Sequence, residues 1–221
     1  MGRAVRRLIA SILELFYGPL APLYPALTKF LFADAWQEWQ RSIHRWIPAA
    51  GRVLELGCGP GDLAAFLAER GHVVIALDRS AAMARLARRR TKGAQRVQVV
   101  RADMRWLPVG DSTVDTVVTT FPTAAFLDDR TSHEIARVLR EGGLLIAVLA
   151  GWPRRWPLWI RPWMPLLRGL LAGQPPESAN RVPVPQHPPS LTGQVIQFEH
   201  PCGVLSIWVA EKRTARWYQA R

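Results

Sequence analysis

Cysteine is nearly missing from this 221-residue chain, with only Cys58 and Cys202 present. One lies in a glycine-rich loop and the other in a Pro-Cys-Gly turn, so neither setting suggests a bridge and a disulfide scaffold is excluded. No CxxC pair or paired-histidine spacing occurs, which removes the usual metal frameworks. Long apolar runs are also lacking. The longest N-terminal uncharged stretch, Leu15 to Thr28, contains Gly18, Pro19, Pro22 and Pro25, and falls short of the ~18 residues that suggest a membrane span. Arg3, Arg6 and Arg7 before Leu8-Ile9 mimic a signal peptide, but Glu14 interrupts the apolar stretch and no clean cleavage site follows. A cytoplasmic location is the expectation.

Lysine is scarce, yet basic charge is not. Lys29, Lys92 and Lys212 are the only lysines among 29 basic residues, which face 17 acids for a net charge of +12. Such a balance points first to nucleic acid or an anionic membrane surface. Its distribution weakens the first idea. Residues 51–150 hold 14 basic and 11 acidic groups, so three quarters of the excess lies outside them. A uniform bias toward arginine through codon usage needs no partner at all. With 49% apolar and 21% charged residues, the chain reads as one globular domain with a full core.

The chain divides into four stretches of one domain. Residues 1–50 read as aromatic helices. Val5, Leu8, Ile9, Ile12, Leu13 and Phe16 repeat at helical spacing, and a proline-broken connector runs from Gly18 to Pro25. A second helix follows Asp34 as N-cap with Gln37 at the capping-box position. It puts Trp36, Trp39, Ile43 and Trp46 on one face and stops at Pro48. Residues 51–150 alternate strand and helix. Strands are expected at Val53–Leu56, Val73–Leu77, Val97–Val100, Val114–Thr120 and Leu144–Leu149. Helices are expected from Asp62 to Arg70 with Gly71 beyond, from Ser80 to about Arg90, and from a Thr131/Glu134 capping box to Gly142-Gly143. Apolar strands alternating with helices predict an α/β fold with a mostly parallel sheet and helices on both faces. Residues 151–193 form a Trp/Pro-rich insert or lid, holding ten of the 18 prolines and Trp152, Trp156, Trp159 and Trp163. Residues 194–221 supply a final β-hairpin, Gln194–His200 and Val204–Lys212, and a tail.

The sharpest motif is Val53-Leu54-Glu55-Leu56-Gly57-Cys58-Gly59-Pro60-Gly61. A buried strand running into three spaced glycines and a helix demands a tight turn and lets backbone approach a ligand at the sheet's carboxyl edge. A dinucleotide fingerprint would need glycine at 62, where Asp62 stands, and an acid there disfavours phosphate. No Gly-Lys-Ser/Thr occurs, so a P-loop is excluded. A glycine loop with acidic neighbours suits a cationic ligand without phosphate, and S-adenosyl-L-methionine is one. Asp78 ends the second strand, where a carboxylate can accept from both ribose hydroxyls. Asp103 follows the third, where it can accept from the adenine amino group.

With the run Arg137-Val138-Leu139-Arg140-Glu141-Gly142-Gly143, these motifs resemble the class I S-adenosylmethionine-dependent methyltransferases, in the small-molecule subgroup of ubiquinone/menaquinone methyltransferases. The resemblance covers about residues 50–150 and extends to 212. It implies a Rossmann-like seven-stranded sheet, last strand antiparallel, with an N-terminal helical extension. It implies that Glu55, Gly57, Cys58, Gly59 and Gly61 form the loop at the methionine part of the cofactor. Asp78 with Arg79 would hold the ribose, Asp103 and Met104 would frame the adenine, and Phe121 would stand near the transferred methyl. Glu141 departs from the family's usual proline before Gly-Gly. Cys58 reads as a loop filler, and no histidine is nominated as a base.

The acceptor is expected from the aromatic flanks. Trp36, Trp39 and Trp46, with Tyr17 and Tyr24 nearby, read either as an apolar acceptor pocket or as core. Trp and Arg mixed from Trp152 to Trp163 suit a membrane interface or a lid. The preferred expectation is methylation of a small, lipophilic acceptor, with peripheral contact to an anionic membrane. An RNA or other nucleic-acid methyltransferase and a non-catalytic membrane-binding module remain alternatives. Against the nucleic-acid reading, Thr119-Thr120-Phe121-Pro122 lacks the Asn/Asp-Pro-Pro-aromatic motif of amino-methylating enzymes.

Overall fold

The computed structural model describes residues 15–160 and 190–213, with 162, 184 and 188. The expected helix from Val5 lies almost wholly outside the described residues, as do most of the insert, with Arg161 and Trp163, and the tail after Arg213.

Seven strands form one sheet: β1 (Arg52–Leu56), β2 (Val73–Asp78), β3 (Val97–Arg101), β4 (Val114–Thr120), β5 (Leu139–Pro153), β6 (Leu191–His200) and β7 (Gly203–Lys212). Their order is β3-β2-β1-β4-β5-β7-β6. The first five run parallel, and β7 lies antiparallel to both β5 and β6. Strand order reverses between β1 and β4, which opens a crevice at their carboxyl ends. Among the described residues the complete α-helices are α1 (Tyr24–Phe32), α2 (Ala35–Ser42), α3 (Asp62–Glu69), α4 (Ala81–Arg90) and α5 (Asp129–Val138), with α2 continuing as a 3-10 turn over Ile43–Trp46.

Alternation along each strand splits the core into two layers. Val53, Val74, Val118, Ile146 and Val148 pack with Trp39, Ile43, Leu63 and Leu67 on one face. Leu54, Leu56, Leu77, Val117 and Leu145 pack with Ile135, Val138 and Trp208 on the other. Glu55 belongs by alternation to the first face, beneath α2 and α3.

Several boundaries differ from the sequence expectation. Pro25 does not break the chain, because it occupies the first turn of α1, where its missing N–H is no loss. Asp34 makes no side-chain cap, since α1 passes into α2 through Ala33 at φ 51° and leaves Asp34 in helical conformation. The Thr131/Glu134 box does not form. Asp128 caps α5 by accepting from the Arg130 amide at 2.9 Å. Glu134 is taken by other partners, the distant Leu107 amide at 2.6 Å and, one helical turn on, the Arg137 guanidinium at 2.7 Å. Arg137 also donates to Asp111 and to the carbonyls of Leu107 and Val109, so the pair staples the loop between β3 and β4. α5 therefore stops at Val138, and Gly142-Gly143 lie within β5. β5 extends to Pro153 because β7 begins early enough to pair Gly203 with it, and β6 begins at Leu191. Ser80 does cap α4, accepting from the Met83 amide at 3.2 Å, and Gly71 ends α3 at φ 91°.

Candidate functional site

The glycine loop leaves β1 and folds back onto β2. The amides of Gly57 and Cys58 both donate to the Leu77 carbonyl, at 2.8 and 2.9 Å. Gly57, Gly59 and Gly61 all have positive φ, at 72°, 52° and 87°. They do different things. A Cβ on Gly57 or Gly59 would meet no atom within 4 Å, so these two face open space. A Cβ on Gly61 would come within 2.9 Å of the Ala87 Cα, so Gly61 lets the start of α3 pack on α4.

Asp78 ties the loop to the next helix. Its Oδ2 accepts from the Gly59 amide at 2.9 Å and its Oδ1 from the Ser80 amide at 2.8 Å. Burial raises its pKa, partly opposed by those two bonds and by the Arg79 charge. Arg79 itself is exposed, and its carbonyl accepts from Arg101 Nε at 3.3 Å.

Glu55 is 2% exposed, and its Oε2 has no hydrogen-bond partner among the described residues. Burial, then the charges of Asp78 and Asp62, push its carboxyl well above the usual range. A buried carboxylate without a partner is costly, and a cation would relieve all three acids. Asp62 opens α3 and pairs with Arg90 at 2.6 Å. Cys58 is buried, and burial with the Glu55 and Asp78 charges drives its thiol pKa up, which leaves it unreactive. The orphaned Glu55 oxygen and the open space before Gly57 and Gly59 fit a cationic, phosphate-free ligand such as S-adenosylmethionine.

Asp103 lies past β3, level with the end of β2, where the Ala102 amide donates to the Asp78 carbonyl at 3.2 Å. Its carboxylate is held by Arg105 through Nε at 3.0 Å and Nη2 at 2.7 Å, which lowers its pKa. Met104 is half-buried against the second core layer. The register Leu56↔Thr119 sets Phe121 beside Gly57-Cys58. Phe121 takes φ 51°, a strained value for a non-glycine residue, while its amide donates to Val148 at 2.7 Å.

The aromatic residues separate. Trp36 stacks on Phe121 at 4.2 Å between centroids, and on Phe32 at 5.3 Å. Trp39 is fully buried core. Trp46 packs edge-on against Phe198, away from the crevice. Tyr17 and Tyr24 stand near Asp78, with rings 5.7 Å apart and both phenols within the field of its carboxylate. Burial raises both phenol pKa values, so both remain donors. The Tyr17 carbonyl accepts from the Ser80 hydroxyl. Sequence reading missed this placement, and it missed Gln40, which donates to Thr120 Oγ1 at 3.1 Å across 80 residues. No local pattern signals a partner at that separation. The described histidines, 44, 72, 133 and 200, make their ring contacts elsewhere.

Residues 53–143 match a family described as a methyltransferase domain. A demethylmenaquinone methyltransferase of Thermus thermophilus is 30% identical over 188 residues, covering 77% of this chain and 86% of that protein. One of Clavibacter sepedonicus is 37% identical over 133 residues, covering 59% of this chain but only about half, 54%, of its own length. A solved structure from Methanococcus maripaludis aligns over 90% of this chain and 94% of that one, with TM-score 0.60 and 21% identity. Geranyl diphosphate C-methyltransferase from Streptomyces coelicolor, solved with S-adenosyl-L-homocysteine, aligns over 80% and 79% with TM-score 0.54 and 14% identity. At these identities the structural likenesses speak for the fold alone.

Proposed function

The chain belongs to the class I S-adenosylmethionine-dependent methyltransferases, and from that premise we propose that it methylates a small, lipophilic acceptor held against the aromatic rings beyond β4. When bound, the cofactor supplies an electrophilic sulfonium methyl for in-line displacement. In this reading Glu55 faces its cationic methionine part and Asp78 accepts from its ribose. Gly57 and Gly59 let the backbone approach it, and Asp103 and Met104 frame the adenine. Arg79 lends Asp78 a nearby positive charge. Tyr17 and Tyr24 close the cofactor end. Phe121 and Trp36 hold the acceptor in line and exclude water, which is most of what such a transfer asks of the protein.

One observation carries the reading. A continuous series of rings, Phe121, Trp36, Phe32 and Trp156, leads away from the glycine loop with centroid separations of 4.2, 5.3 and 6.0 Å. An apolar acceptor gains free energy against such a wall, whereas a nucleic acid would ask for a basic one. The flanks form one domain with the core in this reading: residues 1–50 cover the site, and the insert from 151 completes the acceptor side. The protein works in the cytoplasm, at an anionic membrane surface. Among the described residues no helix is long and apolar enough to cross a membrane.

The test is transfer of labelled methyl to a cell extract divided into lipid, nucleic-acid and protein fractions, with demethylmenaquinone, the acceptor named for the relatives, as one defined substrate. Label in the lipid fraction supports the reading. Label confined to nucleic acid or protein refutes it.

A further inference from the structure

Among the described residues, Leu15, Leu20, Leu23, Phe30, Leu158 and Trp159 are exposed apolar side chains that fall before and along α1 and at the start of the insert, while Val73, Trp106, Leu127 and Val184 are exposed elsewhere. α1 presents Leu23, at its N-cap, and Phe30 to solvent, at 54% and 56% exposure. They lie seven residues apart on one helical face, with Leu27 between them. The start of the insert meets this face from more than a hundred residues away. Trp159 stacks on Phe30 with ring centroids 5.6 Å apart, and its indole N–H donates to the Phe30 carbonyl at 3.2 Å. Trp159 is nonetheless 52% exposed, and its neighbour Leu158 is 71% exposed. Leu15 and Leu20, also exposed, precede α1. Folding has therefore spent contacts to hold an indole against solvent rather than bury it.

The charges within these two segments have one sign. Residues 15–33 contain Lys29 and no acid, and residues 151–160 contain Arg154 and Arg155 and no acid. Lys29 and Arg155 are exposed, while Arg154 reaches Glu199 at 3.5 Å. Acids flank the first of these segments in sequence, Glu14 before it and the exposed Asp34 just past the end of α1. An amphipathic helix with Leu and Phe outward, an indole stacked on it and exposed cations beside them matches the boundary between headgroups and acyl chains of an anionic bilayer. Trp at such a boundary places its ring among acyl chains and its N–H among polar groups.

We propose that α1 and Leu158-Trp159 together form the face by which this protein docks on an anionic lipid bilayer. The proposal rests on the lipophilic-acceptor reading above and gives it a route. α1 carries Phe30 on the docking face, and Phe32 of the same helix belongs to the ring series that ends at Phe121. An acceptor dissolved in the bilayer reaches the site along one helix without crossing water.

The test is co-sedimentation of the full chain with vesicles of phosphatidylcholine alone and of phosphatidylcholine mixed with phosphatidylglycerol. The wild type should sediment with the mixed vesicles and much less with the neutral ones. The double variant Leu23→Ser/Leu158→Ser should lose about tenfold or more in partitioning, since each removes an inserted apolar side chain. Lys29→Glu/Arg155→Glu should lose binding mainly on the anionic vesicles, and added salt should mimic it. Calorimetric binding of S-adenosylmethionine must be unchanged in every variant, which shows that each is folded. No sedimentation of the wild type with either vesicle overturns the proposal, as does equal sedimentation of the Leu23→Ser/Leu158→Ser variant. Concentration-dependent self-association abolished by the same two serines, without vesicle binding, would assign the face to a second copy and also overturn it. Vesicle binding that persists while the lipid fraction takes no label would refute the proposed acceptor and leave the docking face standing.

Discussion

Replacing Asp78 tests the cofactor site most directly. Both carboxylate oxygens already accept one backbone amide, from Gly59 and from Ser80, at 2.9 and 2.8 Å. Each oxygen keeps a second lone pair, and the two together can take both hydroxyls of a ribose. Bonds to a charged acceptor contribute about 1.5–3 kcal/mol each. Losing both at the low end costs about 3 kcal/mol, so Asp78→Ala should weaken S-adenosylmethionine binding about 100-fold. Asp78→Asn keeps the shape and one acceptor oxygen but turns an amide donor toward either Gly59 or Ser80. It should weaken binding by about tenfold or more, with the loop less firmly held. The measurement is titration calorimetry, with a thermal melt of each variant alone. Since burial raises the Asp78 pKa, its charge is held at some cost. The unliganded variants should consequently melt close to wild type. A binding loss under threefold for Asp78→Ala, in a protein that melts normally, would refute the ribose assignment.

Glu55 should reveal itself through pH. Its folded pKa is raised, so the stability it allows is complete below the ordinary glutamate range and is lost as pH rises through the folded value. Glu55→Gln should therefore melt above wild type near neutral pH, converge with it in acid and bind the cofactor more weakly; melts that differ equally at every pH would contradict this. Glu134 has the opposite sign, because Arg137 lowers its pKa and its contribution is lost as pH falls. Arg137→Ala should lower the neutral-pH melt by several degrees, through about 1–3 kcal/mol of lost bonds, and flatten the acid limb; an unchanged acid limb would remove the pair from that role. Gly61→Ala should destabilise the fold by about 1–3 kcal/mol because its Cβ meets Ala87, whereas Gly59→Ala should cost less stability and more cofactor affinity. Equal melts for the two alanines would refute this division of the loop. Trp36→Ala should leave cofactor affinity within about threefold and cut labelling of the lipid fraction about tenfold or more. Parallel loss of both would make Trp36 a support of the cofactor instead.

What could be read from the sequence alone was whatever is local and periodic. Apolar runs such as Val73–Leu77 mark parallel strands because both faces of such a sheet are covered. The spacing of Gly57, Gly59 and Gly61 marks the turn because few other residues tolerate those φ values. Ser80 and Gly71 mark helix ends because their partners lie within four residues. Asp62 in place of glycine argues against phosphate by residue type alone. Tertiary structure decided whatever depends on distant partners. Glu134 looked like a capping residue until the Leu107 amide, from the loop before β4, claimed it. Glycines alike in the motif parted into two that face open space and one that packs on Ala87. Trp36, Trp39 and Trp46 share one helical face in the sequence, yet one stacks on Phe121, one is core and one turns to Phe198. A period of 3.6 residues assigns a side chain to a face but not to a neighbour, and the neighbours are supplied by segments far away in the chain.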